Sequence, residues 1–225
     1  MKILLIETAT RVCSAAMAVD GTVTMLRECA DADAHSTRLP LFLKEITDAQ
    51  RPDAVCVSAG PGSYTGLRIG VSSAKGLCYG YGIPLLSVPT LLSMAALYYA
   101  QHPEYHGLVC TMIDARRMEC YTMVVDRGLN ILRDTQAEVI AEDCYDQWLD
   151  RGEMMFIGDG AAKTRPLLGG HPNARYDEGF SISATGMAGL AEQRLAAGKV
   201  EDVAYFEPFY LKDFVAKKSV VHGLR

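Results

Sequence analysis

The stretch Gly60-Pro61-Gly62-Ser63-Tyr64-Thr65-Gly66-Leu67-Arg68-Ile69-Gly70 holds the residues best placed to do chemistry in this chain. An apolar run, Ala54 to Ala59, precedes it, and a helical pattern, Leu67 to Tyr81, follows. Glycine lets a backbone approach a partner closely or turn through positive φ. A helix N-terminus offers free N–H groups and a partial positive charge. Gly60, Gly62 and Ser63 could therefore cradle a phosphate or a nucleotide. Ile157-Gly158-Asp159-Gly160-Ala161 is a second strand–glycine–helix junction, where Gly158 and Gly160 could form another nucleotide edge. The named motifs do not fit, because GxGxxxG is one residue longer than the dinucleotide fingerprint and Gly-Lys-Ser/Thr is absent. A tight turn with Ser63 or Thr65 as helix cap accounts for the first junction equally well, and a plain turn for the second.

Other candidates are weaker. His102 and His106 have the spacing that lets two imidazoles share a metal on a helix, but Pro103 lies between them and turns His102 away from helical geometry. His35 reads as a helix-start side chain rather than a base. No Ser-His-Asp set has positional support. Asp114-Ala115-Arg116-Arg117, with Glu119 and Tyr121, is a charged turn that either lines a cleft or is simply solvated. The seven cysteines are an odd set, mostly in apolar segments and without a CxxC pair, which predicts buried free thiols in a reducing compartment.

Within the 67–81 helix and its approach, Gly66, Gly70 and Ala74 recur every four residues and share one face. Glycine inside a helix costs about 1 kcal/mol relative to alanine, so it implies a packing reason. Two remain open: close packing within the lobe, or a subunit interface.

These residues need a frame. Lys2 to Glu7, Cys13 to Val19 and Thr22 to Glu28 read as strands, and Asp20-Gly21 is a hairpin signal because both central residues take positive φ. A helix over 35–49, capped by Ser36 or Thr37 with Pro40 in its first turn, is followed by the Ala54–Ala59 strand, the 67–81 helix, a strand at Leu85–Val88 and a helix at Thr90–Gln101. Strands restart at Leu108–Ile113 and Met118–Val125. Helical patterns near 141–150 and 160–168 flank a strand at Met154–Ile157, and Ser181–Ala197 is an amphipathic helix. This alternation predicts two α/β lobes, 1–103 and 104–225, with the tail from about residue 200 packing back on the first.

The 225 residues are 49% hydrophobic and 22% charged, and the net charge of −5 argues against a stand-alone nucleic-acid binder. The one basic cluster, Lys212, Lys217, Lys218 and Arg225, is short. Glu7 and Arg11 interrupt the first apolar run too early for a signal peptide, and no stretch has membrane-span length, so a cytoplasmic protein is expected.

Gly60–Gly70, with Ile3 to Thr10, Asp114 to Tyr121, Gly158-Asp159-Gly160 and Pro208-Phe209-Tyr210-Leu211-Lys212, resembles the TsaB family over nearly the whole chain. The resemblance implies the two-lobed actin/hexokinase/Hsp70-like (ASKHA) α/β fold. It also implies a non-catalytic partner of TsaD that, with the ATPase TsaE, supports threonylcarbamoyl transfer to the tRNA adenosine beside the anticodon. Homodimers form when such a chain is alone, tRNA is met only through the complex, and there is no membrane. No cofactor is required, although ATP or ADP could sit at the complex interface. In the TsaD relatives a His-x-x-x-His pair binds a metal. The corresponding positions here are Thr90 and Met94, so no metal is expected. Glu7 stands where the family usually has Asp, which weakens the case for nucleotide binding. By the same resemblance the helices at 35–49 and 67–81 form the interface, through His35, Leu39, Phe42, Gly66, Arg68, Gly70 and Ala74. The competing reading is an ATP-dependent small-molecule kinase or metalloprotease-like enzyme of the same fold.

Overall fold

The computed structural model describes residues 1–31 and 33–212; the basic positions Lys217, Lys218 and Arg225 lie outside them. Five strands form the first sheet. β1 (Lys2–Glu7), β2 (Cys13–Val19) and β3 (Thr22–Cys29) are antiparallel, and β4 (Ala54–Ser58) and β5 (Leu85–Val88) join in parallel, in the order β3-β2-β1-β4-β5. The β2–β3 hairpin turns at Asp20 (φ 49°) and Gly21 (φ 74°), as the dipeptide requires.

Both faces of β1 are covered, which is why it reads as an unbroken apolar run. Leu4 and Ile6 pack under α1 (Ala34–Thr37), α2 (Leu39–Ala49) and α3 (Tyr64–Tyr81); Ile3 and Leu5 pack under α7 (Ala188–Ala196). The single helix expected over 35–49 is broken at Arg38. Pro40 would clash with the carbonyl of Ser36 in a continuous helix, so α2 restarts with Pro40 in its first turn. Ser36 and Thr37 do not cap it; their hydroxyls donate to the Asp33 carbonyl.

α4 (Thr90–Gln101) leads to a second sheet of β6 (Leu108–Asp114), β7 (Glu119–Val125), β8 (Ile131–Val139), β9 (Met154–Ile157) and β10 (Ala174–Asp177), in the order β10-β9-β6-β7-β8. The two sheets thus share one plan, with β6 in the place of β1. β8 and β10 are strands that the sequence pattern does not announce, because both lie at sheet edges and are only half covered. The helical patterns at 141–150 and 160–168 shrink to the single turns α5 (Asp146–Leu149) and α6 (Arg165–Leu168), the latter after a 3-10 turn.

The expected 181–197 helix begins with a 3-10 turn at Ala184–Met187, where Ser183 accepts from Thr185 N–H and Gly186 lies against the Ser93 carbonyl of α4. Ala184, Met187, Ala188 and Ala191 pack on the first sheet, so the chain returns there well before residue 200. The tail then runs along that lobe: Glu201 N–H bonds Leu85 O, Lys75 Nζ donates to the carbonyls of Ala204 and Phe206, and Phe209 N–H bonds Ala59 O at 2.7 Å.

Candidate functional site

Strand β4 runs into the glycine-rich segment, and Ser63 opens α3 by accepting a hydrogen bond from Gly66 N–H at 3.2 Å. The helix starts at Tyr64, earlier than the expected Leu67, because Ser63 is its cap. Gly60 sits at φ 105°, and a Cβ there would lie 2.7 Å from the Phe209 carbonyl oxygen. A Cβ on Gly62 would enter the carbonyl of Ala9. The second junction is built likewise: Gly158, at φ 100°, abuts the Met112 carbonyl, and a Cβ on Gly160 would lie 2.9 Å from Ile113 C. All four glycines are required by close approach within the chain itself. Of the five expected anion contacts only Gly62 and Ser63 face the open cleft; Gly60, Gly158 and Gly160 do not line it.

That cleft has a volume of about 730 Å³. Ala9, Thr10, Arg11, His35 and Gly62–Thr65 form one wall. Ile113–Arg117, Glu119, Tyr121 and Asp159 form the other, with Phe209–Lys212 along the rim. The charged turn at 114–117 is thus a wall of the cleft, and the structure decides between its two readings. Asp114 pairs with Lys163, and its N–H donates to Asp159 Oδ1 at 2.9 Å. Burial opposes ionisation of Asp114, but Lys163 and the Arg116 N–H outweigh it and hold the carboxyl below its usual range. Burial pushes the Asp159 carboxyl up. Glu119 pairs with Lys212, so the tail spans from Ala59 in the first lobe to the second-lobe wall. Tyr210 packs on Tyr64 with ring centres 4.9 Å apart, and the Arg68 guanidinium lies over the Tyr64 ring, 5.5 Å from its centre.

Glu7 is fully buried behind the cleft rather than in its wall. Its Oε1 accepts from Ala9 N–H at 2.7 Å and Ser58 Oγ at 2.8 Å, while Oε2 has no hydrogen-bond partner among the described residues. Burial drives its carboxyl up to about 7 against these bonds.

α4 joins the two glycine junctions. Thr90 Oγ1 accepts from Gly60 N–H at 3.0 Å, and Thr90 N–H donates to Gly60 O at 3.0 Å. One turn later the Met94 methyl fills the space 2.5 Å from where a Cβ on Gly158 would stand. Both side chains are buried. His102 caps the end of α4, its ring stacked on Tyr98 and Nδ1 3.0 Å from the Tyr98 carbonyl, while His106 is exposed.

The small-residue face of α3 points inward. Gly66 lies against the Thr8 carbonyl, Gly70 against the Thr8 side chain, and Ala74 is buried. Leu39 is buried as well. The expectation that these four touch a partner is therefore corrected: they are covered by their own lobe. His35 and Phe42 are half-buried and Arg68 is exposed. The outer face of α3 is different: Ser72, Gly76, Tyr79 and Gly80 are exposed, and a Cβ on Gly76 or Gly80 would meet none of the described residues within 4 Å. Exposed Leu41 and Tyr79 belong to the same helical layer. Two further glycines inside a helix were the signal available.

Residues 30–220 match the family model for TsaD, tRNA N6-adenosine threonylcarbamoyltransferase. The tRNA threonylcarbamoyladenosine biosynthesis protein TsaB of Escherichia coli K12 is 32% identical over 98% of each chain. The protein of the same name from Bacillus subtilis is 32% identical over 62% of this chain and 56% of its own. The structure of YeaZ from Pseudomonas aeruginosa superposes with a TM-score of 0.80 at 24% identity, covering 93% of this chain and 99% of that one. This likeness bears on the fold: two mixed five-stranded sheets with flanking helices, the actin-like α/β arrangement expected from sequence.

Proposed function

The chain belongs to the TsaB family, and from this we propose that it acts in tRNA threonylcarbamoyladenosine biosynthesis as a non-catalytic partner of a TsaD transferase. With the ATPase TsaE, it would support threonylcarbamoyl transfer to N6 of the adenosine beside the anticodon, in the cytoplasm. tRNA is reached through the complex, and the chain pairs with itself when alone. Among the described residues no helix is long and apolar enough to cross a membrane.

The open glycine at Gly76 carries the docking part of this reading. A helix glycine costs about 1 kcal/mol relative to alanine, and among the described residues nothing lies within 4 Å of a Cβ there to require it. A partner helix lying on Ser72, Gly76 and Gly80, flanked by Leu41, Phe42 and Tyr79, would require it, since small residues let helix axes approach. The sealed positions of Thr90 and Met94 support the non-catalytic part: a hydroxyl holding the Gly60 loop and a packed thioether stand where the TsaD pattern has metal-binding histidines.

Gly76→Trp would test it. The variant should keep its cooperative unfolding yet bind TsaD at least about tenfold more weakly, since an indole must be displaced from the contact. Unchanged co-elution with TsaD would end the docking reading. Transfer of threonylcarbamoyl to tRNA by the chain alone would end the subunit reading.

A further inference from the structure

Cys13 and Cys29 face each other at the open end of the β2–β3 hairpin. The register sets them directly opposite, and it runs without a shift from this pair to Met17 and Met25. Among the described residues no other two cysteines are opposed in a strand pairing. Opposed residues of an antiparallel pair have Cα atoms about 4.5 or 5.5 Å apart and point to the same face. Both spacings lie inside the span of roughly 4.4–6.8 Å that a disulfide bridges. Packing agrees with the register, since both side chains belong to the cluster under α1 and α2.

The two thiols differ in access. Cys13 is buried, and burial pushes its thiol up to about 11, with Cys29 adding to the rise. Cys29 is half-buried on an edge strand, and its Sγ accepts from the Asp31 N–H at 3.4 Å. A reagent from solution therefore reaches Cys29 first, and Cys13 stands behind it as the resolving thiol. Cys56, Cys78, Cys110 and Cys120 are buried, and half-buried Cys144 lies in the loop between β8 and α5.

We propose that Cys13 and Cys29 are a redox modification site, joined into a reversible disulfide when the chain meets a small-molecule disulfide. The Cys29 thiolate attacks one sulfur of that reagent, whose S–S bond breaks, and the first half leaves as a thiolate that takes up the proton Cys29 gave. Cys13 then loses its proton and attacks the Cys29 sulfur, and the second half leaves in the same way. Two protein thiols are oxidised and the reagent is reduced to two thiols. In a reducing compartment the pair rests as thiols, where disulfides form transiently in redox sensing. The bond ties the end of β3 to β2 where the chain departs for α1, whose Ala34 is buried in the same cluster and whose His35 lines the cleft.

The test uses the whole chain without partners, so its outcome is separate from that of the docking reading. The folded chain is incubated with oxidised glutathione, remaining thiols are alkylated, and tryptic peptides are weighed. Cleavage after Arg11, Arg27 and Arg38 leaves Cys13 in residues 12–27 and Cys29 in residues 28–38, with no other cysteine in either. These two peptides should appear joined, and excess reduced glutathione should part them. The oxidised chain should melt about 5–10 °C higher, because the bond closes a loop of about 15 residues in the unfolded chain. Cys13→Ala should instead keep one glutathione on Cys29, and Cys144→Ser should link as the native chain does. Absence of the joined peptides, a link formed only in urea, a Cys13→Ala chain that sheds its adduct as fast as the native one, or a lower melting temperature after oxidation overturns the proposal.

Discussion

On the inner side of α3, a Cβ at Gly66 would enter the Thr8 carbonyl and one at Gly70 the Thr8 hydroxyl. On the outer side, a Cβ at Gly76 or Gly80 would meet none of the described residues within 4 Å. The four glycines carry the same helix penalty. The inner pair offsets it within the monomer, by letting α3 lie directly on the end of β1. The outer pair has no such return unless another molecule approaches. Equal residue type on opposite faces of one helix thus separates what folding requires from what docking would require.

The largest effect belongs to the inner face. Gly66→Ala should lower stability by about 3 kcal/mol, because a backbone carbonyl cannot move aside. Gly70→Ala meets Thr8 side-chain atoms instead, so it should cost less and be rescued in a Thr8→Ala background, where Gly66→Ala is not. Thr8 Oγ1 has no hydrogen-bond partner among the described residues to lose. A double-mutant cycle by urea denaturation reads this directly, and rescue of both glycines alike would break the inner-face assignment.

Next comes the titration of Glu7, the neighbour of Thr8. Its folded carboxyl is raised to about 7 by burial. A raised carboxyl contributes stability that is complete below the unfolded value near 4.5 and is lost as pH climbs through about 7. The protein should therefore be roughly 2 kcal/mol more stable at about pH 5 than at about pH 8 on this account. Glu7→Gln should flatten that difference in denaturation curves at the two pH values.

The smallest effect is on the outer face and has the opposite sign. Gly76→Ala should stabilise the isolated chain by about 0.5–1 kcal/mol. A loss of stability would mean that Gly76 has a role within the fold after all.

Much of the first lobe is legible residue by residue. Asp20-Gly21 turns a hairpin because its constraint is local, and β1 and β4 read as buried because both of their faces are covered. Pro40 sits in a first turn, as the sequence predicts, but its clash with Ser36 divides the helix in two. The edge strands β8 and β10 were not visible, since their half-exposed residues carry no strong alternation. The candidate site was legible only in part. The sequence points to Gly62 and Ser63, but Arg11 and the 116–117 turn also line the cleft, and sequence spacing does not bring those together.

By itself the sequence determined the identity and order of most elements, the glycine junctions at Gly60–Gly66 and Gly158–Gly160, and the family. These are written in short-range patterns of side-chain period, turn chemistry and spacing. Tertiary structure decided which way each pattern faces. The four-residue period of Gly66, Gly70 and Ala74 says that they share a face, but only the position of Thr8, far away in the chain, makes that face the buried one. Direction toward the core is set by which distant surfaces exclude water together, and no local repeat encodes it.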